Sequence, residues 1–290
     1  MSIDSLQEKI RRTKCPVMLE LAGSVADLPP HLMQLEASPA AACGRFCREL
    51  LEALKGTVPA VRFRFASFAL LGPEGLAVLS QSLALAGKLG YYVTLDAPGI
   101  LGVRDAEQAA QILFGENSPF PCDSLILSCY LGSDCLKPFL PGCGSGKDVF
   151  VAVRTPNRSA PELQDLLAGG RLVHIAAADI VSRFAADGGK KYGYASVAVL
   201  SAANAPDSLR SLRSKYPKLF LLVDGYCAVG ANAKNCAYAF DKLGHGAIVC
   251  GGAIARAWQK DGSDGAEYVL QAQTEVERMK RNLSRYFRIM

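Results

Sequence analysis

The sequence predicts an α/β fold: one (β/α)8 barrel, residues 1–290, as a single domain. Three observations predict it. Eight short apolar runs recur along the chain, each is followed by sequence of helical pattern, and no linker-like stretch separates two cores. Such uniform alternation favours a closed barrel over an open doubly wound sheet, and 290 residues fall within the range of one barrel. With 50% hydrophobic and 20% charged residues, the chain supplies a large core and is not generally disordered.

The elements follow in order. Met1–Ile10 is a charged amphipathic helix without an apolar h-region, so no signal peptide is expected. Pro16–Leu21 is a first strand with Glu20 near its end, and residues 39–55 repeat apolar positions at helical spacing. Ala60–Phe65 alternates strictly. This places Val61, Phe63 and Phe65 against the helices and Arg62 and Arg64 inside the barrel. A helix from Gly72 to about Lys88 leads to strand 91–96, where Asp96 ends an apolar run just before a Pro98-Gly99 break. The C-terminal end of a barrel strand is where chemistry usually sits. Helix 105–114, strand 124–130, a short helix near 133–140 and strand 149–154 come next. Helical sequence across 160–187, strand 195–202, helix 206–215, strand 219–224 and a helix near 232–241 then precede strand 246–250 and a long C-terminal helix.

The net charge of +5 is modest and spread along the chain, so no nucleic-acid patch is expected; the basic stretch Arg278–Arg288 fits a solvated helix face. No run of 18 apolar residues would span a membrane, and a cytoplasmic protein is expected. The ten cysteines contain no Cys-x-x-Cys pair and are expected as buried free thiols. The three histidines are scattered, so neither a metal site nor a cofactor is expected. Gly142–Lys147 resembles a phosphate-binding P-loop only superficially. Pro141 occupies the first glycine position and Asp148 follows the lysine, so a surface loop is expected. Gly251-Gly252 after the eighth strand is a tight turn or, by its place in a barrel, a phosphate contact.

Val58–Val61, Gly72–Leu76, Tyr130–Asp134, Lys137–Leu140, Val149–Thr155, Leu163–Asp165, Val223–Tyr226 and Gly246–Val249 occur in an order and spacing of high specificity. Together they resemble the orotidine 5'-phosphate decarboxylase family, in its longer bacterial branch, along nearly the whole chain. The resemblance implies a dimeric barrel with two active sites at the shared interface. It also implies release of CO₂ from a pyrimidine carbon and protonation of the carbanion by a lysine.

Several motif positions depart from that pattern. The strand-two Lys-Pro-Gln reads Arg62-Phe63-Arg64 here. In the strand-three Asp-x-Lys-x-x-Asp, Asp96 keeps the first place, while Pro98 and Leu101 take those of the lysine and the last aspartate. Glu20 stands for the first-strand aspartate, Pro156 for the strand-five serine, and Gly252 for the arginine after strand eight. The phosphate loop Pro-Gly-x-Gly-Ala-Gln-Gly reads Asp224-Gly-Tyr-Cys-Ala-Val-Gly230 here.

Asp96 and Arg62 are therefore the positional equivalents of catalytic residues. Glu20, Arg64, Arg154, Asn157, Asp224, Gly230 and Gly251 are candidate ligand contacts. Glu20, Arg62, Arg64, Asp96, Arg154 and Asp224 are expected together at the barrel mouth, as an internal salt-bridge network or as a new site for a small anion. Three functions stay open: a non-catalytic protein acting through protein contacts, a binder or enzyme with a changed anionic substrate, and residual orotidine 5'-phosphate decarboxylase activity. A homodimer is expected, with Ile100 or Leu101 buried against the second chain; a heterodimer with an intact decarboxylase is the alternative assembly.

Overall fold

Alternation along each strand sorts the side chains of this protein into two cores, one outside the barrel and one within it. The structure is a computed structural model and describes residues 2–97, 103–185, 191–227, 230–261 and 264–290. Eight parallel strands form the barrel: β1 (Val17–Leu21), β2 (Ala60–Arg64), β3 (Tyr92–Asp96), β4 (Ser124–Ser128), β5 (Asp148–Arg154), β6 (Val197–Ala202), β7 (Leu221–Asp224) and β8 (Ala247–Cys250). Each pairs with its neighbour in chain order, and β8 closes on β1 with Val17 opposite Ile248. All eight strands lie within two residues of the positions expected from the sequence.

Val61 and Phe63 face outward into the larger core, where Leu79 and Leu83 of helix Gly72–Leu89 are fully buried. Met18, Tyr92, Ile126, Phe150, Leu200 and Leu222 face the lumen and form a separate core. Helix Ile3–Thr13 belongs to that inner core. Its Ile3, Leu6 and Ile10 are fully buried there, so the helix seals the end of the barrel opposite the mouth. Burying one such side chain stabilises the fold by roughly 1.5–3 kcal/mol. Higher in the lumen the lining turns polar: the Tyr92 hydroxyl donates to Asp148 (2.7 Å), and the Thr94 and Ser124 hydroxyls pair at 2.8 Å.

The connections depart from expectation in three places. Phe65 does not extend β2 but opens the short helix Phe65–Ala69. The stretch expected as helical across 160–187 contains an antiparallel pair, Leu167–Ala168 with Arg171–Leu172. Its two-residue turn Gly169-Gly170 takes positive φ at both positions (59° and 79°), a geometry that glycine adopts without steric cost. The C-terminal helix expected directly after Gly252 is three pieces: Gly252–Ala255, Ala257–Asp261 and Tyr268–Leu283. Among the described residues, no helix is long and apolar enough to cross a membrane.

Leu6→Ala should lower the unfolding free energy by about 2–5 kcal/mol, because it empties a site sealed on all sides. Urea denaturation followed by far-UV circular dichroism measures this, and a loss below about 0.5 kcal/mol would show that the helix does not seal the barrel.

Candidate ligand site at the barrel mouth

The strand register brings one arginine and three acids together at the top of the lumen. Glu20 lies opposite Arg62 across the β1–β2 pairing, and Asp96 ends β3 two residues beyond Thr94, the β3 partner of Arg62. Asp224 ends β7 on the other side of the barrel. The Arg62 guanidinium reaches all three. Its Nε donates to Asp96 Oδ2 (3.0 Å), as does Nη2, and its Nη1 donates to Asp224 Oδ1 (2.9 Å) and pairs with Glu20 Oε2 (3.1 Å). Asp96 Oδ1 is buried without a hydrogen-bond partner among the described residues.

One guanidinium thus faces three carboxylates in a buried place. Burial alone would favour the neutral form of Arg62, but Asp224, Glu20 and Asp96 more than offset it and push its pKa up. Burial, reinforced by the charges of Asp224 and Asp96, raises the pKa of Glu20 against the pull of Arg62. The crowding of like charge thus disfavours the ionised form of Glu20.

Above this acidic floor opens a cavity of about 510 Å³, walled by the ends of β1, β2, β7 and β8 and the segments that follow them. Glu20 and Asp224 reach it from below, and Arg64, Arg256 and Lys260 line it as well. Arg64 is exposed and makes no ion pair among the described residues. Arg256 sits 3.6 Å from Asp27, whose own pKa burial raises against the charges of Arg256 and Arg64. Lys260 is held by Glu275 at 2.7 Å. Gly251 belongs to the wall because of its size: a β-carbon there would stand 2.4 Å from Cβ of Glu20. At Gly252 a β-carbon would meet the Arg256 guanidinium at 2.4 Å. Arg256 therefore lays its charge over Gly252 from one helical turn further along.

Six expectations need correction. Arg64 is not inside the barrel, because β2 ends there and the chain turns into helix, leaving the side chain on the rim. Arg154 is buried but does not join the cluster. A bulge between Ala152 and Arg154 shifts the register of β5 against β6, and Arg154 instead grips Asp165 through Nε (2.9 Å) and Nη2 (3.0 Å). It lines a smaller cavity of about 300 Å³ with His174 and Asn204. Asn157 is exposed and accepts a hydrogen bond from Thr155 (2.6 Å), while Gly230 is exposed and outside the cavity wall. Nine of the ten cysteines are buried as expected; Cys227 is exposed. The stretch before β5 is not all loop, since helix Leu140–Gly144 occupies its first part. Pro98, Ile100 and Leu101 lie outside the described residues. Sequence reasoning missed Arg256, Lys260 and Asp27; the one available signal was the basic spacing after Gly252, which an unbroken helix would have carried away from the mouth.

No protein-family model matches the chain. An orotidine 5'-phosphate decarboxylase of Rhodopirellula baltica is 33% identical over 259 residues, covering 84% of each sequence. The chain belongs to the orotidine 5'-phosphate decarboxylase family. The decarboxylase of Deinococcus radiodurans is 34% identical over 203 residues, or 69% of this chain and 72% of the relative. Among solved structures, the OMP decarboxylase of Leishmania donovani superposes with a TM-score of 0.71 at 26% identity, covering 97% of this chain and 99% of that one. The closed eight-stranded barrel is thus the fold of the family, and the mouth cavity lies at the end of the barrel where its loops gather.

Arg62→Met should destabilise this family member by about 3–5 kcal/mol, because three carboxylates would lose their shared cation, whereas Arg64→Met on the rim should change stability by less than about 0.5 kcal/mol. Equal losses in urea denaturation would contradict the division into floor and rim. Glu20 supplies a pH signature. Its folded-state pKa is raised, so its contribution is full below the unfolded value and is lost as pH rises through the folded one. The stability of wild type relative to Glu20→Gln should therefore fall across the window in which Glu20 ionises, which opens at the ordinary carboxylate value of about 4 and extends above it. A constant difference across that window would place Glu20 outside the coupled cluster.

Proposed function

We propose that this member of the orotidine 5'-phosphate decarboxylase family no longer decarboxylates and serves a regulatory or protein-interaction role linked to pyrimidine metabolism. The observation that carries this reading is the capture of Arg62 by Glu20, Asp96 and Asp224. Protonating a carbanion needs a donor whose pKa suits the transfer, and losing a positioned acid costs roughly 10²- to 10⁴-fold in rate. Arg62 is a poor donor by nature, and its three partners bind its proton more tightly still. The lysine of the cavity, Lys260, is engaged by Glu275 at the rim. Pro98, which stands at the position of the motif lysine, has no proton to give. A substrate that carries both a carboxylate and a phosphate would also meet three acids on the floor, which opposes its entry.

A second reading concerns what the mouth now holds, and the uncommitted guanidinium of Arg64 favours it. Together with Arg256 it offers forked donors above the acidic floor, suited to a small anion that stays at the rim. In this reading the protein binds an anionic ligand without turning it over. For assembly we propose a homodimer through the face that the family uses, with a mixed dimer beside an intact decarboxylase as the alternative.

Purified protein should not convert orotidine 5'-monophosphate to UMP in an absorbance assay that includes an intact family member as control. Titration calorimetry with UMP and with orotate should detect binding that Arg64→Ala weakens by about 10-fold or more, the loss of one charge-assisted contact. Sedimentation of the same preparation, alone and mixed with the control enzyme, reads the assembly. Turnover that Asp96→Ala abolishes would make this an active decarboxylase, and binding insensitive to Arg64→Ala would remove the rim from the ligand site.

A further inference from the structure

Where β7 leaves the barrel, an exposed cysteine and a buried one line the same cavity. Cys227 lies three residues beyond the end of β7, and Cys250 is the last residue of β8. The two strands are neighbours, with Ala247 opposite Leu222 and Ile248 opposite Val223. Continued for two residues, this register sets Cys250 beside Gly225, at the base of the turn that carries Cys227. Cys250 is 2% exposed, its thiol donates to the carbonyl of Tyr226 (3.5 Å), the residue before Cys227, and both cysteines line the mouth cavity.

Cys227 has the exposure that Cys250 lacks. It borders the mouth cavity on one side and, on the other, a second cavity of about 370 Å³ lined by Asn232, Arg278, Asn282 and Arg285. Its backbone is left-handed (φ 63°), one of two such non-glycine residues among those described. The resemblance noted in the sequence puts a glycine at this position, so a cysteine occupies a conformation that glycine would hold without strain. Its thiol is also easily ionised. Interaction with the Cys250 side chain comes first, burial opposes it, and Tyr226 and Arg278 add to the lowering, to a pKa of about 7. Glu275 works the other way but is itself neutralised by Arg278 and Lys260. The remaining cysteines are buried, and Cys236, the third thiol near this turn, is held neutral with its pKa pushed up to about 12 by burial.

We infer that Cys227 and Cys250 form a peroxide-sensitive dithiol, in which Cys227 is oxidised by a hydroperoxide and Cys250 resolves it into a disulfide. In the first step the Cys227 thiolate attacks one peroxide oxygen. The O–O bond breaks, an alcohol leaves with the proton that the thiol gave up, and Cys227 becomes a sulfenic acid. In the second step the Cys250 sulfur attacks the sulfenic sulfur, the S–O bond breaks, and water departs with the Cys250 proton. Two thiols lose two electrons and the hydroperoxide gains them; no other co-reactant is needed. The product ties the turn after β7 to the end of β8 along one wall of the mouth, so the oxidised protein has a stiffer cavity than the reduced one. The inference does not depend on whether the barrel decarboxylates.

The test uses the full chain, reduced and then exposed to a small excess of hydrogen peroxide. Free thiols counted after denaturation should fall by two from ten, and non-reducing peptide mapping should recover a Cys227–Cys250 link that dithiothreitol reverses. Cys227→Ser should keep all of its remaining thiols. Cys250→Ala should give no link and instead a sulfenic acid at Cys227 that dimedone traps. Cys236→Ser should form the link as wild type does. Should Cys250→Ala fail to fold, the wild-type map alone decides. An unchanged thiol count in wild type, a link from Cys227 to Cys236, or over-oxidation of Cys227 without any link would each overturn the inference.

Discussion

A single guanidinium, closed inside a ring of strands and shared by three acids, sets the electrostatics of this protein. Arg62 cannot be screened by water and cannot give up its proton, so Glu20, Asp96 and Asp224 must arrange themselves around it. Its fork has the right shape for the task, with one edge toward β3 and one nitrogen toward β1 and β7 together. A lysine in its place would offer one point of charge to three partners on three strands. The cluster therefore joins distant parts of the barrel by direct contact, and the lone unsatisfied oxygen of Asp96 marks where this packing is incomplete.

Charge is layered along the barrel axis. An apolar plug lies at one end, hydroxyl groups and the buried Asp148 come next, then an acidic floor, and last a basic rim of Arg64, Arg256 and Lys260. Such an order attracts anions to the opening and resists their descent. In the proposed non-decarboxylating reading, it separates recognition of an anion at the rim from the acidic floor below. The Arg256 side chain occupies the space that Gly252 leaves open, so a guanidinium one turn further along lies over the start of its own helix.

Most of the barrel was legible in the sequence because period-two alternation is a property of the strand itself. The same alternation placed Arg62 correctly in the lumen, and it failed for Arg64 because one residue later the backbone becomes helical. Arg154 was misplaced by a bulge, an extra residue against β6 that no hydrophobic pattern reports. The rim was illegible for a different reason. Arg256 and Lys260 follow apolar residues at helical spacing, and only the break of that stretch into short pieces turns them back over the mouth. The exposure of Cys227 depends on a left-handed turn that a cysteine does not advertise.

The helix Ile3–Thr13 precedes every strand it seals, and its partners include Met18 of the first strand and Val249 of the last. It can complete its burial only when nearly the whole chain is in place. The closing pairing of β1 with β8 has the same long separation along the chain. Contacts of this kind cost the loop entropy of everything between them before they return any energy, so they form late and together. Until then three large aliphatic side chains stay open to solvent and to other chains. The ring and its plug thus make maturation an all-or-none event, and a chain stalled before its last strand would be a sticky species for chaperones and proteases to remove.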